Sequence, residues 1–450
     1  MTPPPDHHIA TAFRKEFADP RVWWARTVVI IFAALAGFTV VGFTWLTERA
    51  LEYFVALRAA WWWAPLLWTP AWTILIVWLT RRYAAGAAGS GIPQVMAALD
   101  PAVNADTRGV FVSLKLAVAK IGLTAMGLLA GLSLGREGPS VQVAAGVMLS
   151  ARRLLPRRSV VTVHGLLVAG GAAGIAAAFN TPLAGVMFAI EELSRAPEQR
   201  SSGLIVAAIV LAGLIAVSVN GNATYFGVIH VSGIGMSLIV PALIVTLASG
   251  AAGGLFARLL IGSLGGKADD IFSRFRRRRP VVFAGLCGLA VAVIGVITLG
   301  ATFGSGYMHT RNMLEGTETT TPLYVLLKFV ATWLTSWAGV PAGIFAPSLA
   351  IGAALGKEIA QLLHYPQAPT LIALGMAGFL AAATQAPLTA LIIVMEMIDG
   401  HAMVLSLMAC ALIASAVSRT LTRPLYPSLA QFQMLRVPEP PPADETSKPG

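Results

Sequence analysis

Charge is scarce in this sequence. Charged residues make up 12% of its 450 positions and hydrophobic residues make up 56%, whereas about a quarter of a soluble domain is charged. The mean hydropathy is +0.73, and apolar stretches recur along nearly the whole chain. Several of them reach the roughly 20 residues that are needed to cross a bilayer. These features exclude a soluble globular domain and predict an all-α polytopic membrane protein.

Cysteines and metal-ligand patterns are also rare. The two cysteines, Cys287 and Cys410, lie in separate apolar stretches without metal-ligand neighbours, which argues against a disulfide framework and for inert packing positions. Because no spacing of ligand residues is typical of a metal site, we predict neither a metal nor a cofactor. The N-terminus lacks the pattern of a cleaved signal peptide, so the first spanning segment is expected to direct insertion.

The net charge of +11 collects in short basic clusters. The most basic are RRLLPRR at 152–158 and RFRRRR at 274–279. Such clusters favour the cytoplasmic side of a membrane protein, and they also suit contact with anionic lipid head groups. We interpret the charge as a topology signal and predict no nucleic-acid partner.

Two parts of the sequence share the same order of landmarks. GREGPS at 135–140 matches GIFAPS at 343–348, and Lys120 and Lys328 each stand fifteen residues before the first glycine. An internal repeat with helices interrupted by Gly and Pro at matching places is typical of transporters and channels. In such proteins the substrate site lies where the repeats meet.

Two further pairs of landmarks follow in the same order. Segments 176–191 and 381–396 share AAA, Pro-Leu and a final glutamate, and GSG occurs at 89–91 and at 304–306. We therefore expect two inverted repeats of tilted and partial helices. The predicted units are a cytoplasmic N-terminal segment (1–25), membrane repeat 1 (26–220), membrane repeat 2 (221–420), and a terminal helix start followed by a disordered Pro-rich tail (421–450).

Three stretches place glycine ahead of proline and lead into apolar helical sequence. They are GSGIP (89–93), GREGP (135–139) and GIFAP (343–347). A helix that begins inside the membrane leaves its first N–H groups without partners, and these groups with the helix dipole form an anion site. One such stretch fits a kink or close-packing site equally well, but three together predict an anion-binding centre. The residues that form these helix starts are Gly89, Gly91, Pro93, Gly135, Arg136, Gly138, Pro139, Gly343 and Pro347.

Glu137 and Arg136 bring charge into an apolar region. Intramembrane carboxylates are functional by default, and a carboxylate beside helix N-termini can occupy the anion site and swing aside when it is protonated. Glu137 is therefore predicted to exchange a proton and an anion at one place, while Arg136 raises the local positive potential or braces the loop. Glu192 is a candidate second proton station, with a solvated helix end as the equal alternative. Glu191, the repeat mate of Glu396, is expected to be structural.

These segments resemble the CLC family of chloride channels and chloride/proton antiporters. GSGIP, GREGPSVQ, GIFAP and RPLYP (423–427) follow each other in the family's order, and the resemblance covers about residues 30–430. It implies the CLC-type all-helical fold of two inverted repeats. It also implies a homodimer with one anion pathway in each subunit.

The resemblance assigns roles to particular residues. It implies that an anion is bound by the hydroxyls of Ser90 and Tyr426 and by the backbone amides of Ile344 and Phe345. It further implies that Glu137 is the gating glutamate and that Glu192 transfers protons on the internal side. Ser90 favours chloride over nitrate, because nitrate-preferring relatives tend to carry proline at this position.

The sequence departs from the family at Gln94 and Met96, where many members carry acidic residues. The charge network around the GSGIP loop is therefore expected to differ. Only 24 residues follow Tyr426, too few for the paired nucleotide-sensing CBS domains of many eukaryotic members. These features predict a bacterial-type, multi-pass protein of the plasma membrane, which is the bacterial inner membrane.

The predicted function is secondary-active chloride/proton antiport by a protein that is not an enzyme. A passive chloride channel on the same fold is the alternative, because a glutamate at position 192 does not guarantee coupling. A distant alternative is a membrane-embedded serine hydrolase, since GLSLG at 131–135 fits the G-x-S-x-G pattern around Ser133. No motif supports a histidine base, so we attribute this match to the frequency of Gly and Ser.

Overall fold

The computed structural model describes residues 20–156, 159, 161–194, 202–221, 225–226, 235–266, 269–317 and 322–435. In these ranges the chain forms helices and no β-strand. Residues 1–19 and the Pro-rich tail from 436 onward lie outside them. The α-helices are α1 (Pro20–Ala60), α2 (Pro65–Tyr83), α3 (Ile92–Leu99), α4 (Ala105–Arg108), α5 (Leu114–Leu129), α6 (Glu137–Ser150), α7 (Val163–Phe179), α8 (Pro182–Phe188), α9 (Ser202–Asn220), α10 (Ile239–Leu264), α11 (Ile271–Arg278), α12 (Pro280–Ile297), α13 (Tyr307–Leu314), α14 (Pro322–Ala338), α15 (Phe345–Leu362), α16 (Ala368–Thr384), α17 (Pro387–Ile398), α18 (Val404–Leu421) and α19 (Leu425–Met434).

The helices differ widely in length. Four segments are long and apolar enough to cross a membrane, namely α1, Met236–Leu264, α12 and His401–Leu421. With 41 residues, α1 is about 60 Å long, which is roughly twice the thickness of the hydrocarbon core. The helices α7, α9, α16 and α17 are apolar but shorter. The expectation of an all-α membrane protein with tilted and partial helices is confirmed.

The centre of the molecule is formed by α6, α7, α15 and α16. Every residue is buried in Glu137–Met148 of α6, Gly165–Phe179 of α7 and Thr370–Thr384 of α16. Small residues allow the close packing, because a methyl group at Gly170 would lie 2.7 Å from the Cα atom of Ala145. A helix that is hydrophobic all round has to be covered on every side, so the central helices depend on the outer ones.

Two clusters of basic residues lie on one side of the helical bundle. The indole N–H of Trp24, near the start of α1, donates to the carbonyl of Leu154 at 2.9 Å, which places the described part of the first cluster, residues 152–156, beside that end. At the other end of α1, Arg58 donates to the carbonyl of Leu299, just after α12. Because α12 follows the 274–279 cluster and crosses to Leu299, both clusters lie on the side where α1 begins. This distribution agrees with the positive-inside rule.

The two repeats meet through equivalent residues. The N–H of Gly135 donates to the carbonyl of Gly343 at 2.8 Å, and the N–H of Gly343 donates back at 3.0 Å. The resulting bridge is antiparallel and joins the two glycines that the sequence alignment pairs. Reciprocal bonds between equivalent residues of antiparallel segments are the mark of a two-fold relation between the halves. The expectation of two inverted repeats is confirmed.

A second reciprocal contact links the halves through Glu191 and Glu396. The carboxylate of Glu396 accepts from the N–H groups of the second and third residues of α8 at 3.1 and 2.7 Å. The carboxylate of Glu191 accepts from the second and third residues of α17 at the same two distances. Each glutamate thus caps the helix start of the opposite repeat. The structural role expected for Glu191 is the one that the structure gives it.

Candidate functional site

Three helix starts converge where the repeats meet. The Gly135–Gly343 bridge sets the start of α6, at Glu137, beside the start of α15, at Phe345. The loop before α3 joins them, because the N–H of Gly89 donates to the carbonyl of Val340 at 3.2 Å and its carbonyl accepts from the N–H of Ala342 at 3.1 Å. Each start directs free backbone N–H groups and a positive dipole end toward the same region.

Glycine is required for this close approach. A methyl group at Gly138 would lie 2.3 Å from the hydroxyl oxygen of Ser90, and one at Gly343 would lie 2.8 Å from the carbonyl of Gly135. Gly89 and Gly91 have φ values of 78° and 107°, which side chains other than glycine rarely adopt. The glycines predicted from the sequence therefore allow the backbones of three helix starts to come together.

Ser90 and Tyr426 bring two hydroxyl groups to the helix starts. Ser90 is 9% exposed and Tyr426 is fully buried, and neither hydroxyl has a hydrogen-bond partner at ordinary distance among the described residues. The two hydroxyls are nevertheless close enough to interact. Because buried polar groups are normally satisfied, this pair fits a ligand that accepts hydrogen bonds from both.

Ile344 and Phe345 form the start of α15. Both are buried, at 3% and 1% exposure, and Ile344 is the N-cap residue of the helix. The ring of Phe345 stacks on that of Tyr426, with centroids 6.0 Å apart and planes at 13°. The backbone amides at this helix start lack intrahelical partners. The arrangement is suited to binding a small anion.

Glu137 is the first residue of α6 and is almost completely buried, with 1% exposure. Its polar neighbours are the backbone amides of Arg136, Ala346 and Glu137 itself, so the carboxylate lies across the starts of α6 and α15. One carboxylate oxygen, Oε2, has no hydrogen-bond partner and would be only 2.2 Å from a methyl group placed on Gly135. The carboxylate thus occupies a position at which an anion would be stabilised.

Arg136 braces the loop rather than pairing with its neighbour. Its guanidinium forms an ion pair with Glu48 of α1 at 2.9 Å and approaches the carbonyl of Thr44 at 3.4 Å. Glu48 and Arg136 line a cavity of about 690 Å³ that also reaches Glu137. The cavity is bordered by the far end of α1, opposite the basic clusters, and it connects Glu137 with that side of the protein.

Glu192 lies elsewhere, in a π-helical turn (Ala189–Leu193) that continues α8. It is 7% exposed and does not line the cavity beside Glu137. Tyr426 lies within electrostatic range of both Glu192 and Glu137. π-helical turns are frequent at functional sites, and this one carries a buried carboxylate.

Several polar residues of this region have contacts that the sequence did not predict. The sequence alone gives no role to Gln94, and in the structure its side-chain oxygen Oε1 accepts from the N–H of Gly91 at 3.0 Å. Lys120 and Lys328, noted only as landmarks of the repeat, are fully buried and hold loop carbonyls. The sequence did contain a signal for these buried contacts, because a lysine within an apolar stretch is rare inside membranes and has to find polar partners.

The contacts of Ser133 give no support to the serine hydrolase alternative. The hydroxyl of Ser133 shares a hydrogen bond of 2.9 Å with that of Thr332, so it is engaged in packing between α14 and the segment before α6. Over the part of the chain that the structure describes, no group of three His, Cys, Asp or Glu is arranged to hold a metal ion.

Comparison with known proteins identifies the family. The model of the voltage-gated chloride channel family matches residues 72–419. The H(+)/Cl(-) exchange transporter ClcA of Salmonella typhimurium strain LT2 is 33% identical over 368 residues, which cover 78% of this chain and 75% of the relative. ClcA of Citrobacter koseri is similar to the same extent.

Solved structures share the fold. A slow cyanobacterial Cl⁻/H⁺ antiporter has a TM-score of 0.78 at 24% identity, covering 93% of this chain and 99% of that one. A CLC-type fluoride/proton antiporter has a TM-score of 0.73 at 22% identity, covering 90% and 97%. Because the family model matches most of this chain, residues 72–419, the chain belongs to the voltage-gated chloride channel (CLC) family.

Proposed function

We propose that this protein is a secondary-active chloride/proton antiporter. The observation that carries the proposal is the buried carboxylate of Glu137, which lies at two helix starts with one oxygen unpaired. A carboxylate at that position competes with an anion for the same N–H groups and dipoles. The names of the ClcA relatives, which are exchange transporters of H⁺ and Cl⁻, support the same function.

Chloride is held in this proposal by neutral groups. The hydroxyls of Ser90 and Tyr426 and the amides at Ile344 and Phe345 donate hydrogen bonds to it, and the dipoles of α3, α6 and α15 supply positive potential. No full positive charge touches the anion, so binding is favourable without being irreversible. Such a balance is what transport requires, because the ion has to leave again.

Glu137 alternates between two states. As a carboxylate it occupies the helix starts and excludes an anion from them. After it takes up a proton, its attraction to the dipoles is lost, and the neutral side chain moves into the adjoining cavity, where Glu48 and Arg136 also lie. The vacated helix starts then accept chloride. Anion entry and proton uptake are therefore linked at a single side chain.

Glu192 serves as the internal proton station. It is buried, it lies outside the cavity that reaches Glu137, and it shares Tyr426 as an electrostatic neighbour with Glu137. A proton that reaches Glu192 from the side of the basic clusters passes inward toward Glu137.

The protein is further proposed to work as a homodimer in the plasma membrane of a bacterium. The bacterial origin of the ClcA relatives supports this location, and the resemblance to the family supports the dimer. The proposed units 26–220 and 221–420 are supported by the end of α9 at Asn220 and by the end of α18 at Leu421, one residue past the second unit.

The test is a flux assay in proteoliposomes that follows chloride and protons together. A chloride gradient is expected to drive protons uphill. Glu137→Gln is expected to abolish proton movement and leave anion flux, and Glu192→Gln is expected to uncouple in the same way. If wild-type protein passes chloride and moves no protons, it is a passive channel. If Glu192→Gln retains full coupling, Glu192 is not the internal station.

A further inference from the structure

The short helix α11 lies between two segments that are long and apolar enough to span a membrane. A short loop joins it to the first of them, Met236–Leu264, and only Arg279 separates it from the second, Pro280–Ile297. Because both of its ends are tied to spanning helices, α11 cannot leave the surface of the membrane. Its basic cluster places it on the side that is predicted to be cytoplasmic.

The sequence of α11 gives the helix an apolar face and a basic face. Ile271 and Phe275 are four positions apart and share the apolar face with Phe272, while Arg274 and Arg278 share the basic face at the same spacing. Ile271 and Phe272 are 73% and 65% exposed. A helix with large exposed apolar side chains beside arginines is typical of a segment that lies in the membrane interface.

The charge of α11 is only partly neutralised by nearby acidic groups. Five arginines stand within residues 274–279, and Asp269 and Asp270 precede them. Asp270 accepts from a backbone N–H of the first turn at 2.9 Å, and Asp269 forms an ion pair of 3.0 Å with one arginine of the run. Arg274 and Arg278 are exposed, and among the described residues their side chains have no hydrogen bond or ion pair. Two guanidinium groups are therefore available for a phosphate, which arginine binds well.

The other side of α11 is fixed to the ends of two longer helices. Arg276 donates to the carbonyl of Ser263, near the end of α10, at 3.1 Å. The ring of Phe272 meets that of Trp337, near the end of α14, with centroids 6.4 Å apart. Trp337 stacks on Trp333 at 5.0 Å, and the indole N–H of Trp333 donates to the hydroxyl of Ser263 at 2.9 Å. These contacts join α11, α10 and α14 at the membrane surface.

The end of α14 leads directly to the proposed chloride site. The segment that follows it holds Gly89, because Val340 accepts from the N–H of Gly89 at 3.2 Å and Ala342 donates to its carbonyl at 3.1 Å. The same segment continues into the start of α15 at Phe345. Whatever steadies the end of α14 therefore also steadies the connection between the loop of Ser90 and the start of α15.

We propose that α11 is a binding site for an anionic phospholipid of the cytoplasmic leaflet. Arg274 and Arg278 hold the phosphate of the head group, and Ile271 and Phe272 enter the boundary between head groups and acyl chains. A lipid fits better than an acidic protein, because a lipid covers the arginines and the neighbouring apolar side chains together. The bound lipid steadies the end of α14 and thereby raises the rate of chloride transport. Lipid binding of this kind does not depend on whether chloride movement is coupled to protons.

The first test is native mass spectrometry of purified full-length protein in neutral detergent, titrated with phosphatidylglycerol or phosphatidylcholine. Phosphatidylglycerol is expected to bind more tightly. The double variant Arg274→Gln and Arg278→Gln is expected to weaken its binding by roughly 30-fold, which corresponds to ~2 kcal/mol, about half from each arginine. Arg152→Gln with Arg153→Gln is the matched control, because it removes two exposed charges from the other basic cluster. The control is expected to bind phosphatidylglycerol like the wild type.

The role of the apolar face is tested by Ile271→Ser in the same titration. Weaker binding of phosphatidylglycerol is expected, because this variant removes an exposed apolar side chain and leaves every arginine in place. Unchanged binding would show that only the charge is recognised, in which case an acidic protein or free phosphate fits the site better than a lipid. If the wild type binds both lipids equally, or if both arginine variants weaken binding alike, the lipid site on α11 is overturned.

The link from α11 to transport is tested by chloride flux in two kinds of vesicle. One is pure phosphatidylcholine, and the other is an equal mixture of phosphatidylcholine and phosphatidylglycerol. The mixture is expected to speed flux through the wild type and the Arg152/Arg153 control, but not through the Arg274/Arg278 variant. If the lipid binds at α11 and flux is equal in both vesicles, the link to α14 is wrong. If neither vesicle shows chloride flux, the proposed function fails, while the titration still decides whether the lipid site exists.

Discussion

Gly135→Ala is predicted to displace the carboxylate of Glu137 while leaving the fold intact. A methyl group at this position would lie 2.2 Å from Glu137 Oε2, but 3.2 and 3.3 Å from side-chain carbons of Pro347 and Ala346. The latter two contacts need shifts of only a few tenths of an ångström. The carboxylate has to move by roughly 1 Å or more to reach an ordinary contact distance. Gly135 does not have a positive φ, so alanine adds no backbone strain there.

The size of the effect follows from what holds the carboxylate in place. Attraction between a carboxylate and helix N-termini contributes roughly 0.3–2 kcal/mol, and a side chain forced off its rotamer costs about 0.5–1.5 kcal/mol. A combined value of ~2 kcal/mol corresponds to a population about 30-fold lower for the state in which Glu137 occupies the helix starts. Chloride flux is therefore expected to persist, and the number of protons moved per chloride is expected to fall toward zero.

The assay is paired recording of chloride and pH in proteoliposomes, with thermal unfolding of the same preparation. Gly343→Ala is the matched control, because its methyl group would meet the backbone at Gly135 O (2.8 Å) and Gly138 N (3.1 Å). Backbone cannot step aside, so this variant is expected to lose thermal stability. If Gly135→Ala is stable and still moves protons at the wild-type ratio, the position of the Glu137 carboxylate does not govern coupling.

Three further predictions concern contacts outside the helix starts. Glu191→Gln and Glu396→Gln are each expected to lower the free energy of unfolding by about 1–3 kcal/mol; because their bonding distances match, clearly unequal shifts in thermal stability would count against reciprocal capping. Glu48→Gln removes a half-exposed partner of Arg136, so stability is expected to change by less than about 1 kcal/mol while chloride exchange slows; an unchanged turnover would show that this ion pair does not influence Glu137. Ser133→Ala is expected to leave chloride flux unchanged, and a hydrolytic activity that disappears in this variant would revive the hydrolase alternative.

The sequence was sufficient for the class of protein, the repeat and the helix starts. Apolar stretches with little charge exclude a soluble fold, because charge is costly in hydrocarbon. The match between GREGPS and GIFAPS predicted that Gly135 and Gly343 are equivalent, and these two glycines meet in the structure. Local chemistry determines such features, since glycine and proline restrict the backbone wherever they stand. The assignments of Ser90 and Tyr426 depended on resemblance, because they lie more than three hundred positions apart.

Tertiary structure alone decided what each charged side chain contacts. In the sequence Arg136 stands next to Glu137, yet its ion pair is with Glu48 on α1. Lys120 is only a repeat landmark until its ammonium is seen to hold the carbonyls beside Ser90. Such contacts join segments that lie dozens of residues apart, and burial makes each of them matter, because a charge removed from water has to find its partners within the protein.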